Sequence, residues 1–446
     1  MPYSNFILKN ILILILLFPL LKVLIINMAM NEVEIKIIPS SGSTLYYEKI
    51  NNNKLIQICL FSCFTIAVML LETYYRDPLY NYSLIVISKF NQANNLKIYF
   101  FFKNFSHLGS IPFHEQLCIA VIFTFGLSKS FSYVTIMVYT LFMEKFLKSL
   151  YANPRPYFDS PLIKPNCQGG YGNPSGHSVL SETMYLSLWH MLSDTAYLQN
   201  NKTLQRIILI CFQLIVFLIM IARVYVGDHS INQVIYGYQL GLLMYYFCFY
   251  IIKVYYYDWN SFYNTFYVYN NYFHHLIKFA CFLLVTISVF CLKSKGDPRY
   301  NQILQEKCKD MPEINKFGIA SLVDEQIIFA LIGSWVGLIC FLRYISNEFG
   351  LDNNQNGEFI NNFQDTSLFK RITIMVILIL LCFPSMLLKY VQDIKVNIYL
   401  LVVLKYSLTY FLVGFTIYCI FPILCFKFGL VNPKIRKESQ NIVILF

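Results

Sequence analysis

Asn173-Pro174-Ser175-Gly176-His177-Ser178-Val179-Leu180 is the run from which the rest of this chain can be read. A glycine-dense loop, Cys167-Gln-Gly-Gly-Tyr-Gly-Asn173, leads into it, and a long apolar segment follows. Glycines there let backbone N–H groups close on an anion, and the first turn of the following helix adds its partial positive charge. Ser175 is equally an ordinary N-cap residue, so the loop alone reads as a turn as readily as a site. Its company changes that. Upstream stand Lys148, six residues, then Arg155-Pro156; downstream stand Arg223, five residues, then His229. Three fixed cations and two histidines in this order describe a site for a dianionic phosphate, with a nucleophile and a proton donor beside it.

The surrounding composition belongs to a membrane. Of 446 residues 57% are hydrophobic and only 13% charged, about half the charged share of a soluble domain. Apolar runs approaching the roughly 20 residues needed to cross a bilayer alternate with short polar loops. The expected fold is therefore all-α, a polytopic transmembrane helical bundle. The net charge of +11 is spread over many loops. It forms no Lys/Arg block of the kind that tracks a nucleic acid, and it reads as a membrane-surface balance; membrane lipids are the expected surroundings.

Two hydrophobic segments come first, near 6–26 and 55–71. The first is interrupted by Lys22 and lacks a small-x-small cleavage site, which favours a retained helix over a cleaved signal. The aromatic run 99–102, flanked by Lys97 and Lys103, suits a helix lying at the interface. Nine spans are then expected near 111–128, 131–150, 177–194, 206–224, 230–253, 278–293, 326–345, 371–390 and 397–425. This divides the chain into an N-terminal hydrophobic region (1–94), a phosphatase core (95–255) and further C-terminal transmembrane helices with a short basic tail (256–446).

Counting crossings puts the loops 151–176 and 225–229 on one face, together with 294–325 and 391–396. Thirteen cysteines include eleven in apolar segments; Cys167 and Cys308 fall in loops on the site face. A disulfide between those two is an expectation that would place that face in an oxidising compartment. Lys434, Arg436 and Lys437 lie on the opposite face, which the positive-inside tendency makes cytoplasmic. The site then faces the lumen of the endoplasmic reticulum or another endomembrane, or the exterior at the plasma membrane.

Each cation has a local reason for its place. Glu144 stands one turn before Lys148, so an i,i+4 pair orients the lysine; taken alone, the lysine reads as one that snorkels at a helix end. Pro154 and Pro156 hold Arg155 in an extended loop. Arg223 ends one apolar segment and His229 opens the next after Gly227-Asp228, with Asp228 or Ser230 as the helix cap.

These three blocks together resemble the phosphatidic acid phosphatase type 2 and vanadium haloperoxidase superfamily, whose signature runs Lys-x6-Arg-Pro, Pro-Ser-Gly-His, Ser-Arg-x5-His. The resemblance covers residues 95–255. It implies that Lys148, Arg155 and Arg223 bind phosphate oxygens together with Ser175 and Gly176. It also implies that His229 forms a phosphohistidine and that His177 protonates the leaving alkoxide. No metal or other cofactor is implied, since cationic side chains neutralise the phosphate, and vanadate is expected to inhibit. His229 must be neutral to attack while His177 must be protonated, which implies a bell-shaped pH dependence.

Two positions depart from the pattern. Ala222 replaces the family serine, and Gln233 stands where many members carry an aspartate that orients the nucleophilic imidazole. Gln233 still accepts a hydrogen bond, so it and Glu144 are the supporting residues.

The substrate class stays open between two branches. Arg-Pro-Tyr (155–157), Pro-Leu-Ile-Lys (161–164) and the glutamine after the nucleophile are similar to glucose-6-phosphatases. The Tyr-x-Gly-x-His-Ser-Ile run (225–231) is similar to sphingosine-1-phosphate phosphatases. A site at a bilayer surface suits a substrate whose tail stays in lipid, so a lipid phosphate of the sphingosine-1-phosphate or phosphatidate type is preferred to a sugar phosphate. A lipid phosphotransferase would use the same residues. A transporter would instead need paired ionisable residues inside several helices, and Glu182, His190 and Lys405 are scattered. The oligomeric state is left open.

Overall fold

The computed structural model describes residues 52–93, 95–164, 170–256, 298–308, 328–349, 358–360, 403–428, 434–438 and 441–445, with single positions at 284, 373, 376, 377 and 380. The described residues are mostly helical. α1 (Asn52–Ala93) is followed by α2 (Leu96–Phe105), α3 (Ile111–Phe125) and α4 (Leu127–Tyr151). After the first site loop come α5 (Gly176–Ser193), α6 (Lys202–Val226) and α7 (Ile231–Tyr256). The C-terminal part holds α8 (Pro298–Lys307) and α9 (Ile328–Phe349). It ends in a helical stretch, α10, made of α segments Leu408–Phe415 and Phe421–Lys427 joined to π-helical turns Val403–Ser407 and Thr416–Ile420.

Helices thus occupy seven of the nine expected segments; 278–293 and 371–390 lie outside the described residues apart from single positions, as does 6–26 entirely. Among the described residues, two helices are long and apolar enough to cross a membrane on their own, Lys202–Val226 and Lys405–Cys425. Shorter apolar stretches are Ile111–Ile122 and Phe329–Tyr344. α5 falls short for a physical reason. Ser178, Ser181, Glu182, Thr183 and Ser187 are all buried in it, because it is enclosed by α4, α6 and α7 and faces protein on most sides.

The helical class does not extend to the chain's end. Strands β1 (Glu358–Ile360), β2 (Lys434–Glu438) and β3 (Asn441–Leu445) form a small sheet in the order β1-β3-β2. β1 runs parallel to β3 with Glu358 opposite Val443, and β2 antiparallel with Lys434 opposite Leu445. The β-branched run Ile442-Val443-Ile444 favours this pairing, so the basic tail is a strand. Cys308 is disulfide-bonded; Cys167 lies outside the described residues.

Two packings position the site. On the outside, Tyr157, Phe158, Ile163 and Tyr171 from the first site loop form one buried cluster with Ile87, Val224, Val234, Leu304 and Cys308. α8 is tied to the same loop by Phe158 and Tyr300, whose ring centroids are 4.7 Å apart. On the inside, α7 approaches α5 through Gly237. A Cβ there would lie 2.7 Å from Ser175 O and 2.9 Å from Ser178 Cβ. Backbone-to-backbone contact of this closeness tolerates no added methyl without moving a helix. Gly237→Val should therefore lower stability by about 1–3 kcal/mol, read as a drop in unfolding temperature of the detergent-solubilised protein; an unchanged unfolding temperature would contradict this packing.

Candidate phosphate site

The site is built where three helix ends meet. α4 ends at Tyr151, with Ala152 in the left-handed region (φ 51°) donating its N–H to Lys148 O (2.9 Å). α6 ends at Gly227, also left-handed (φ 88°), whose N–H donates to Val224 O. α5 begins at Gly176. Ser175 at its N-cap makes no side-chain capping bond; its N–H donates to Gln233 O (3.0 Å), and its Oγ accepts from Ser178 Oγ (3.1 Å). The first N–H groups of α5 are thus left by the cap residue for another acceptor. A Cβ on Gly176 would come within 2.6 Å of Glu144 Oε1, so the residue admits the carboxylate that holds Lys148.

Every cation is pinned by a near neighbour. Glu144, buried, binds Lys148 Nζ at 2.5 Å and Lys145 Nζ at 3.3 Å. Arg155 donates through Nε to Gly170 O (2.9 Å) and through Nη1 to Asp228 O (3.4 Å). Arg223 pairs through Nη2 with Asp228 Oδ2 (2.7 Å), and its buried Nε has no partner. An orphaned buried donor of a fixed cation is a place prepared for an oxygen anion. Among the described residues, four cations (Lys145, Lys148, Arg155, Arg223) gather around two carboxylates (Glu144, Asp228), an excess of positive charge that suits a phosphomonoester dianion.

Both histidines sit in that field. The side chains acting on the His177 ring are Arg223, Lys148, Arg155 and Lys145, and those acting on His229 are Arg155, Arg223, Lys148 and His177 itself. His229 is buried, whereas His177 and Gly176 are partly exposed and form the accessible side. Burial first, and then the surrounding cations, hold the His229 imidazole well below its ordinary range, so it is neutral. Its Nδ1 faces two oxygens, Gly172 O at 2.9 Å and Gln233 Oε1 at 3.2 Å. Two acceptors require the proton on Nδ1, which leaves the Nε2 lone pair as the reactive one.

Gln233 does more than face the ring. Its Oε1 accepts from Ser230 N (3.2 Å), the reciprocal half of a capping box, and its Nε2 donates to Pro154 O (2.8 Å). One amide thereby ties the His229 turn to the loop of Arg155. The role that sequence reasoning missed belongs to a backbone atom, Gly172 O, for which no residue type gives a signal. Lys145 was also missed, although it adjoins Glu144. Asp228 anchors Arg223. Glu182 is turned away from this cluster and is bound by Gln213 Nε2 at 3.1 and 3.2 Å. His190 is held by Tyr245 OH at 3.0 Å and Lys405 lies over the Tyr406 ring, so the three residues considered for a transport path are separately engaged.

Comparison with known proteins bears on this region. Residues 129–256 match the model of the PAP2 superfamily. Phosphatidylglycerophosphatase B of Bacillus subtilis (strain 168) is 30% identical over 105 residues, which is 23% of this chain and 48% of the relative. The chain thus spans about half the length of that curated relative. The crystal structure of the first transmembrane PAP2 type phosphatidylglycerolphosphate phosphatase, also from Bacillus subtilis, aligns over 44% of this chain and 96% of that chain, with 18% identity and a TM-score of 0.39. The three blocks at 148–156, 174–177 and 223–229 all fall inside the stretch, residues 129–256, that is similar to the PAP2 superfamily.

Proposed function

We propose that the protein is an integral-membrane phosphatase that hydrolyses phosphomonoesters through a phosphohistidine on His229. The observation that carries this is the cluster of cations around two imidazoles, one of which holds its proton on Nδ1 and so offers the Nε2 lone pair. Phosphoryl transfer depends mainly on charge stabilisation and in-line placement. His229 Nε2 attacks phosphorus as the ester P–O bond breaks, and His177 gives its proton to the leaving alkoxide. A water molecule then attacks the phosphohistidine with His177 taking its proton, releasing inorganic phosphate and restoring both rings. Lys148, Arg155 and Arg223, with the Ser175 hydroxyl and the N–H of Gly176, hold the phosphate oxygens throughout. The reading requires no metal, because the cations do the neutralising.

The preferred substrate is a lipid phosphate of the sphingosine-1-phosphate or phosphatidate type. Similarity to a phosphatidylglycerophosphatase supports a phosphorylated lipid over a sugar phosphate. On this reading the helices form a multi-span bundle with the site at one bilayer face, turned to the lumen of the endoplasmic reticulum or another endomembrane.

A panel of phosphatidate, sphingosine 1-phosphate and glucose 6-phosphate, assayed with detergent-solubilised protein, tests both parts. Lipid phosphates should be hydrolysed in the presence of EDTA and inhibited by vanadate. His229→Ala should lower kcat roughly 10³-fold or more, and His177→Ala by about 10²–10⁴-fold. Preferential hydrolysis of glucose 6-phosphate would overturn the substrate, and full activity of His229→Ala would overturn the mechanism.

The pH profile follows from the environment of His229. The ring acts when neutral, and burial and its cations keep it neutral below the ordinary histidine range, so the acid limb set by His229 in kcat/KM should lie below about 6.5. Arg155→Gln removes one of those cations, makes protonation easier and should move that limb upward. The substrate's own second ionisation is common to both proteins and cancels in the comparison. An acid limb that stays in place, or moves downward, would contradict the electrostatic account.

A further inference from the structure

We infer that α1, which lies outside the matched family region, is part of the scaffold of this site, with Glu72 as the positioning residue for the Pro-Ser-Gly-His turn. The inference rests on the phosphatase reading above. Three side chains of α1 reach the three separate segments that carry the site. Glu72, fully buried, accepts from Asn173 Nδ2 at 2.9 Å, and Asn173 directly precedes Pro174-Ser175-Gly176-His177. Tyr80 OH donates to Asp159 Oδ2 (2.7 Å) and lies 3.3 Å from Arg155 O. Ser83 Oγ accepts from Ile231 N (2.9 Å), two residues after His229. Each of the three side chains has a contact that falls on, or within two residues of, a group that would touch phosphate.

Glu72 is the most informative of the three. A buried carboxylate is costly, and an apolar side chain of similar size would fill the space at least as well. The charge is offset by Arg76, one turn along α1, whose Nε lies 2.9 and 3.0 Å from the two carboxylate oxygens. The Arg76 guanidinium in turn lies over the Tyr151 ring, 4.8 Å from its centroid, at the end of the helix that carries Lys148. Among the described residues Asn173 Oδ1 is buried without a partner, and the Glu72 bond is the one that orients that amide. A directional, charge-assisted contact fixes where the turn sits, which packing alone does not do.

The test uses the full chain in detergent. Vanadate affinity is measured by direct binding, and kcat and KM on phosphatidate, for wild type, Glu72→Ala, Glu72→Gln, Asn173→Ala and the Glu72→Ala/Asn173→Ala double variant. Glu72→Ala should weaken vanadate binding about tenfold or more and lower kcat by more than it raises KM. Glu72→Gln keeps an acceptor for Asn173 Nδ2 and should recover most of the loss. Asn173→Ala should match Glu72→Ala, and the double variant should be no worse than either, since both break one bond.

Asn173→Ala leaves the Glu72–Arg76 pair intact, so it decides the question even where Glu72→Ala fails to fold. Wild-type vanadate affinity in Asn173→Ala, or additive losses in the double variant, would overturn the positioning role while leaving the phosphatase reading in place. Absence of both vanadate binding and monoester hydrolysis in wild type would remove the phosphatase reading and this inference with it.

Discussion

An excess of positive charge among the described residues, gathered between helix ends, is the constraint around which this region is organised. Like charges held in a desolvated space repel, and nothing in the primary structure keeps Lys148, Arg155 and Arg223 together. They stay because each is tied to a neighbour from its own or an adjoining segment: Lys148 to Glu144, Arg223 to Asp228, and Arg155 to the carbonyls of Gly170 and Asp228. The two carboxylates hold the cations without cancelling them all. A site neutralised in full would have no reason to take up a dianion, and one with no carboxylates would not hold its cations so close.

The geometry around this charge is set by backbone as much as by side chains. Left-handed residues end α4 and α6 within a few residues of Lys148 and Arg223. α5 starts with its N-cap hydroxyl uncommitted to capping. Close approach of α7 at Gly237 then fixes Ser175 against the helix that begins just after His229. The adaptation is local in each case, and its sum brings the cations and a helix N-terminus to one place.

Much of this was legible beforehand, for identifiable reasons. The i,i+4 spacing of Glu144 and Lys148 dictates one helix face. The prolines around Arg155 keep that residue itself extended, but Pro156 opens a short helical turn, Pro156–Asp159, where an extended loop was expected, because proline suits the first position of a helix. Apolar runs marked most helices as far as the residues are described, but not α8 (Pro298–Lys307), a polar helix inside the expected loop 294–325. Hydropathy was a poorer guide to crossings, since α5 is too polar by composition to stand as a span although α4, α6 and α7 enclose it. What could not be read was long-range or carried by the backbone. Glu72 and Asn173 are 101 residues apart, Gly172 acts through a carbonyl that every residue possesses, and the terminal sheet depends on pairing with β1 from a distant loop.

Gln233 shows how a departure from a family pattern is accommodated. A carboxylate facing Nδ1 would stabilise the imidazolium as well as orient the ring, and in a cluster with an excess of positive charge it would also cancel part of that excess. The neutral amide avoids that cancellation. It still presents an acceptor to Nδ1, while the carbonyl of Gly172 supplies a second at shorter range. Its other end holds Pro154 O, which a carboxylate cannot do, because that contact needs a donor. Gln233 thus serves as a strut between two site loops without adding a negative charge at the imidazole.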